Sequence, residues 1–385
     1  PRSEQERQTL KQQKKADAAA RRKQRAEAIA LRKSTDIIFL GRGVSRGLSD
    51  RRTNVEKLQA AGLPVLSAPA DVAEALGLSI PHLRWLAYHN DAARVTHYVR
   101  FSVPKKSGGT RQLAAPHRHM AACQQWILDN ILVKIPVHDA AHGFVPGKST
   151  VTNALPHVGK HVVINADLKD FFPTITFPRV KGLFGSMGYS PASATILALL
   201  CTACPRRTVQ YDGKTYHVAT APRSLPQGAC TSPALSNLMV RRFDARLAGL
   251  GARLGWAYTR YADDLTFSAS DETGRKAGYL LARLRHITAD EGFAVNEAKT
   301  RILRRNTAQK VTGIVVNKRP GAPRKLVRRL RAILHRAKTE GLEAQNKDNH
   351  PYFEGWVSGM IAYVSMVNQQ QGRKLRDAYD ALAAR

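Results

Sequence analysis

Two stretches of this chain set apolar strands beside carboxylates, and any fold has to accommodate both. His161-Val162-Val163-Ile164-Asn165-Ala166-Asp167 is a mostly apolar run that ends on an acid, and it reads as a strand meeting a turn. Thr259 to Ala269 reads as two short strands joined by a turn at Ala262-Asp263, which puts Asp263 and Asp264 at a hairpin tip. An Asp-Asp turn alone is usually just a solvated hairpin. This one follows the Asp167 strand in order and lies in a very basic chain. Two or three carboxylates from separate strands suit Mg²⁺, which prefers hard oxygen ligands and keeps several waters. Nucleotidyl transfer uses two such ions about 3.5–4 Å apart.

The charge narrows the partner. Lys and Arg number 61 against 29 Asp and Glu, a formal net charge of +32 on 385 residues. Such an excess repels itself in a compact body unless a polyanion is usually bound. Nucleic acid is the leading candidate and an anionic membrane surface the alternative. The longest apolar run, Ala192 to Leu200, is too short for a bilayer, which needs about 20 residues. The charged start shows no signal-peptide pattern. Cys123, Cys201, Cys204 and Cys230 are irregularly spaced, which argues against a disulfide framework and fits a reducing cytoplasm. Cys201 and Cys204 form a lone Cys-x-x-Cys without histidines at ligand spacing, so buried small residues are a better reading than zinc.

Along the chain, residues 1–34 hold Lys, Arg, Gln and Ala with hardly any large apolar side chains. They read as a basic helix or a disordered arm. Residues 35–97 form a helical N-terminal region. Val72, Leu76, Ile80, Leu83 and Leu86 recur at helical spacing there, split by Gly77 and Pro81 into two helices, the second starting near Ser79. Tyr98 to Pro104 and Thr110 to Ala114 are the strands of a hairpin, and Met120 to Ile135 has helical periodicity. Arg324 to Lys338 is a helix with Arg324, Lys325, Arg328, Arg329, Arg331, Arg336 and Lys338 on a basic face and Leu326, Leu330, Ile333 and Leu334 opposite. A second apolar helix covers Trp356 to Val367.

In order, four motifs resemble those of reverse transcriptases. Asp167-Leu168-Lys169-Asp170-Phe171-Phe172-Pro173 is similar to their first catalytic motif, and Tyr261-Ala262-Asp263-Asp264 to their second carboxylate motif. Leu225 to Pro233, which contains Gln227-Gly228, resembles the template and nucleotide motif between them. Gly292-Phe293-Ala294-Val295-Asn296 with Lys299 resembles the motif that follows. The resemblance spans roughly residues 98 to 318. It implies an α+β right-hand polymerase: fingers at 98–160, a palm with an antiparallel sheet at 161–318 (a fingers insertion near 180–222), and a helical thumb at 319–385. It also implies that Asp167 and Asp263 bridge two Mg²⁺ ions, with Asp264 a weaker or geometric ligand. Phe172 holds the steric-gate position that favours deoxynucleotides. Lys106, with Lys105 as its competitor, and Arg111 grip the triphosphate. Gln227 and Gly228 let the backbone approach a base pair, and Lys299 protonates the leaving pyrophosphate.

Two shorter strings are similar to retron enzymes in particular: Asn153-Ala154-Leu155-Pro156-His157 before the first catalytic motif, and Val311-Thr312-Gly313 after the hairpin. A retron setting implies a bacterial enzyme that copies part of its own structured noncoding RNA into DNA. Its synthesis starts from an RNA 2′-hydroxyl, its substrates are dNTPs, and it works in antiphage defence, often with an effector protein. The basic 324–338 helix suits RNA held by phosphates and shape. Other bacterial reverse transcriptases (group II intron-like, CRISPR-associated, diversity-generating) and a polymerase-derived RNA-binding protein without catalysis are the rivals. A P-loop at Gly143 to Thr150 is rejected, because three rather than four residues separate its glycines and Pro146 removes a needed N–H.

Overall fold

The computed structural model describes residues 4–104, 108–270 and 276–383. Two compact units divide the chain: Pro1–Pro136 with Phe172–Leu235, and Val137–Phe171 with Ser236–Arg385.

In the first unit the basic N-terminal stretch is a single helix, Glu4–Thr35. Short helices follow at Val55–Ala60, Pro69–Ala75 and Ile80–Ala87. The break between the last two falls where the residues demand it. Gly77 takes φ +65°, and the Ser79 side chain caps the next helix by accepting from His82 N, with Pro81 in the first turn. Tyr98–Pro104 and Thr110–Pro116 pair antiparallel from Tyr98↔Pro116 to Pro104↔Thr110.

The helix expected from Met120 to Ile135 instead covers Arg118–Asn130 and gives way to a single 3₁₀ turn, Leu132–Lys134. Pro136 explains the early end, since the residue before a proline is pushed out of the helical region, and Ile135 sits at φ −92°, ψ 122°. Pro191–Cys201 is apolar on every side because it is buried from Ala192 to Cys201. Arg223 donates to the carbonyls of Leu199 and Thr202 at that helix's C-terminal end. A three-stranded antiparallel sheet, in the order Ala92–Ala93, Lys214–Ala219, Arg206–Tyr211, completes the unit.

The second unit is built on a four-stranded antiparallel sheet in the order Ala257–Tyr261, Asp264–Ala269, Val162–Asp167, Arg301–Arg304. Val162–Asp167 is an inner strand with Val162, Val163 and Ile164 fully buried, which is why it reads as a run rather than an alternation. Three C-terminal helices, Arg324–Glu340, Phe353–Val367 and Gln369–Ala383, share a core of Val327, Leu330, Leu334, Val357, Ile361 and Leu375. The seven cations of the Arg324–Glu340 helix all face solvent. Arg329 is also tied to Asp348 and lies 4.7 Å over the Trp356 ring.

Among the described residues the four cysteines are free, and burial pushes the Cys123 thiol up to about 11 and that of Cys201 to about 12. No described helix is long and apolar enough to cross a membrane.

Candidate active site

The antiparallel register brings the acids together. Asp167 ends its strand directly opposite Asp264, the first residue of the neighbouring strand, and directly opposed residues share one face of the sheet. Asp263 occupies the tip between Tyr261 and Asp264, where Ala262 takes φ +56° and the Asp263 carbonyl accepts from Leu168 N at 3.0 Å. The segment from Gly292 to Lys299 closes the third side. Leu168 bridges to Val295, Asn296 N donates to the Asp167 carbonyl at 2.7 Å, and Phe293 packs on Phe171 and Phe243.

At the centre, the Lys299 ammonium lies 3.0 Å from both carboxylate oxygens of Asp167, and Asn296 Nδ2 donates to one of them at 3.0 Å. Asp167 is 6% exposed, so this cation offsets a charge that would otherwise be nearly dry. Its bond to Asp167, and then the charges of all three aspartates, raise Lys299 above its ordinary range. Asp264 keeps an exposed edge but sits in a crowded recess. Desolvation there, then the charges of Asp263 and Asp167, push its carboxyl up to about 6 against the pull of Lys299. Three carboxylates crowd together here, and Lys299 is bonded to one of them, Asp167.

Residues that sequence reading passed over hold the hairpin from behind. Arg260 is fully buried and forms a two-pronged ion pair with buried Asp244, Nε to Oδ1 at 2.8 Å and Nη2 to Oδ2 at 2.7 Å. Its Nη1 donates to the Ala262 carbonyl of the turn and to Asn237 Oδ1, both at 3.0 Å. Asn237 in turn donates to the Gly143 carbonyl at 2.8 Å. Gly143 lies so close to the turn that a Cβ there would stand 2.7 Å from Ala262 N. An arginine inside an otherwise strand-like Ala257–Tyr261 was the available signal. Its partner Asp244, on the Arg241–Leu254 helix, could not be read locally.

Asn153, His157 and Val311-Thr312-Gly313 also meet in this unit. His157 is fully buried, with Nδ1 2.6 Å from Ser268 Oγ and Nε2 2.8 Å from Thr259 Oγ1 on the two hairpin strands. Thr259 donates to the Asn153 carbonyl at 3.3 Å, so its oxygen accepts from Nε2–H, and Nδ1 accepts from Ser268. That pattern requires neutral imidazole, and burial holds His157 down to about 3. Thr312 and Gly313 both have positive φ, +46° and +86°, in the two-residue turn between Lys310–Val311 and Ile314–Val315. A threonine resists that conformation. Here its hydroxyl donates to the Thr150 carbonyl at 3.2 Å and accepts from Asn153 Nδ2 at 3.5 Å.

Arg111, Phe172, Gln227 and Gly228 lie in the first unit. Ala114 N donates to the Gln227 carbonyl at 2.8 Å, and Gly228, at φ +126°, leaves a gap in which a Cβ would stand 2.9 Å from the Ala114 carbonyl oxygen. Gln227 and Gly228 thus lie against the strand that carries exposed Arg111. Phe172 is half-buried. Lys105 and Lys106 lie outside the described residues. Lys148, in the rejected P-loop stretch, is spent on the carbonyls of Asp139 and Ala141.

The model of the reverse transcriptase (RNA-dependent DNA polymerase) family matches residues 103–316. The retron Mx162 reverse transcriptase of Myxococcus xanthus is 42% identical over 96% of this chain and 80% of its own length. The retron Mx65 reverse transcriptase of the same organism is 46% identical over 86% and 75%. The retron Ec86 reverse transcriptase of Escherichia coli is 32% identical over 83% and 95%. The chain belongs to the retron reverse transcriptases. A telomerase of Candida albicans, solved with a fragment of telomeric RNA, aligns over 75% of this chain and 59% of its own at 9% identity and a TM-score of 0.42.

This retron reverse transcriptase is an RNA-directed DNA polymerase, and its family uses divalent metal ions. The donor set fits: hard carboxylate oxygens crowded enough to raise Asp264, with the Lys299 ammonium already bonded at Asp167. Among the described residues no three acids, histidines or cysteines are gathered tightly enough to hold an ion by themselves. A magnesium-type ion bound by one or two carboxylates takes its remaining ligands from water and substrate phosphates.

One prediction follows from His157. The unfolded chain takes up its proton near 6.5, the folded chain only near 3. The stability tied to neutral His157 is therefore intact above about 6.5 and lost as pH falls. Between pH 7.5 and 5 the unfolding free energy of His157→Gln should fall by about 2 kcal/mol less than that of the wild type, measured by urea titration. Parallel losses in the two proteins would place the acid sensitivity elsewhere.

Proposed function

We propose that this retron reverse transcriptase copies part of a structured noncoding RNA into DNA, using two Mg²⁺ ions held by Asp167, Asp263 and Asp264. The observation that carries this reading is Asp167 and Asp264 opposed in register, with Asp263 between their strands and the Lys299 ammonium bonded to Asp167. When bound, the ions neutralise the attacking and leaving oxygens of the transfer. Lys299, bonded to Asp167 in this structure, would be placed to hand a proton to the departing pyrophosphate. Asn296 keeps Asp167 oriented throughout, and Arg260 holds the turn that carries Asp263.

In this reading the Tyr98–Pro116 hairpin with Arg111 belongs to the fingers and binds the dNTP triphosphate. The four-stranded sheet is the palm, and the three C-terminal helices are the thumb. Gln227 and Gly228 form a side-chain-poor surface for the base pair. The primer is a 2′-hydroxyl of the same RNA, so the product is branched RNA–DNA, and the system serves antiphage defence with an effector protein. Relatives named as retron reverse transcriptases at 42% and 46% identity support that setting.

Nucleic acid extracted from purified wild-type protein and treated with RNase or DNase tests this directly. The wild type should carry DNA covalently joined to RNA, and Asp263→Ala should carry RNA alone. Primer extension by Asp263→Ala at a tenth of the wild-type rate would remove Asp263 from the metal site.

Phe172→Ala should increase ribonucleotide incorporation relative to deoxynucleotide. An unchanged ratio would leave Phe172 as packing.

Arg328→Glu with Arg331→Glu should weaken RNA binding and lower the slope of log affinity against log salt by about two contacts. Arg329 is omitted because Asp348 and Trp356 already engage it. An unaltered slope would take this helix out of the RNA interface.

A further inference from the structure

The first unit contains a recess that polymerisation as described does not use. It encloses about 710 Å³ between the end of the Glu4–Thr35 helix, the Ile80–Ala87 helix and the strand around Tyr98. That volume suits one small ligand such as a nucleotide. Its lining joins two chemistries.

The first is aromatic surface left in solvent. Phe39, Trp85 and Tyr88 are 50%, 49% and 44% exposed, although burial would favour such large rings. They are held in place: Trp85 meets the His97 ring edge-on at 4.4 Å between centroids, and the Trp85 carbonyl is bonded to His97 Nε2. Phe39 and Tyr88 form a second edge-on pair at 6.2 Å.

The second is unbalanced positive charge. Arg100, Arg206 and Arg223 form the floor, and among the described residues their hydrogen bonds run to main-chain carbonyls, the Thr202 hydroxyl and His89, with no carboxylate among them. Arg32, Lys33 and Arg84 stand at the rim, and among the described residues none of them pairs with an acid. Ile29, Arg32 and Lys33 are three and four positions apart, so one face of the basic helix is turned to the recess. Among the described residues Asp36 is the single acid in the lining, and it is paired with Arg51.

We infer that this recess binds an unpaired nucleotide of a nucleic-acid strand, with the base on the Trp85 and Tyr88 rings and the phosphate on the guanidinium groups. Base–aromatic stacking needs a base free of its neighbours, and part-buried arginines without carboxylates need an anion. A duplex offers phosphates but no free base face, so it fits the charge and not the rings. The helix that opens the chain gains a role here, since its last turns form one wall. This inference extends the proposed RNA partner to a site in the other unit from the carboxylates.

The test uses the full chain and a fluorescein-labelled, unstructured oligonucleotide of about twelve residues, as RNA and as DNA, with a duplex RNA of equal length. Trp85→Ala should weaken single-strand binding about tenfold and leave duplex binding within about twofold. Whichever of RNA and DNA loses affinity is the strand the recess takes. Arg84→Glu should lower the salt slope of single-strand binding by about one contact. Photocrosslinking of the strand so identified, carrying 4-thiouridine as RNA or 4-thiothymidine as DNA, to the wild type should label Trp85, Tyr88 or His97.

Equal losses on single strand and duplex, no loss on either, or crosslinks confined to other segments would overturn the proposal. So would displacement of a bound polyglutamate peptide from this recess that RNA fails to match, which would assign it to an acidic protein. A wild type that crosslinks here yet carries no DNA joined to RNA would sink the proposed copying of a structured RNA and leave this site standing. Primer extension with no binding here would do the reverse.

Discussion

Repulsion among three carboxylates is the constraint around which the second unit is organised. Asp167, Asp263 and Asp264 lie where two strand ends meet, and their mutual charge is what lifts the Asp264 carboxyl once desolvation has begun the shift. A fold that left them together without help would spread them apart or protonate them. Lys299 and Asn296 supply the help, and both arrive on the Gly292–Lys299 segment that bonds along the Asp167 strand. The arrangement holds the acids close, with the Lys299 ammonium and the Asn296 amide both on Asp167.

Behind that face the unit is rigid for a different reason. The turn that carries Asp263 has no apolar side chain long enough to anchor it, so polar groups do the work in a dry setting. Arg260 binds Asp244 with both prongs and still reaches the turn carbonyl. Breaking such a buried pair from one side leaves an uncompensated charge. His157 plays the matching part on the other side by tying both hairpin strands together as a neutral ring. Asn153 and Thr312, distant in sequence, meet next to it. The two strings most similar to retron enzymes thus brace the hairpin from one cluster, and the strain of a threonine at positive φ is carried by its own hydrogen bonds.

The net charge of +32 is not spread evenly in its chemical consequences. On the Arg324–Glu340 helix the cations face solvent over a shared apolar core. In the first unit arginines without acid partners are combined with half-exposed rings, which adds a demand for a flat, unstacked ligand.

Much of this was legible along the chain. Apolar periodicity located the Asp167 strand, the carboxylate hairpin and the amphipathic C-terminal helix, because each buries one face against its neighbours and the pattern of burial is written locally. Ser79 and Pro81 marked a helix start for the same local reason. The Arg118–Asn130 helix ended earlier than its periodicity suggested, since Pro136 acts on the backbone before it. What the sequence by itself determined was the inventory: three acids, a lysine, a large cationic excess and the motifs of a reverse transcriptase. What only the tertiary structure decided was which groups share a dry space. Arg260 with Asp244, and His157 with Ser268 and Thr259, are set by contacts between residues far apart in the chain, and no local pattern records such a contact.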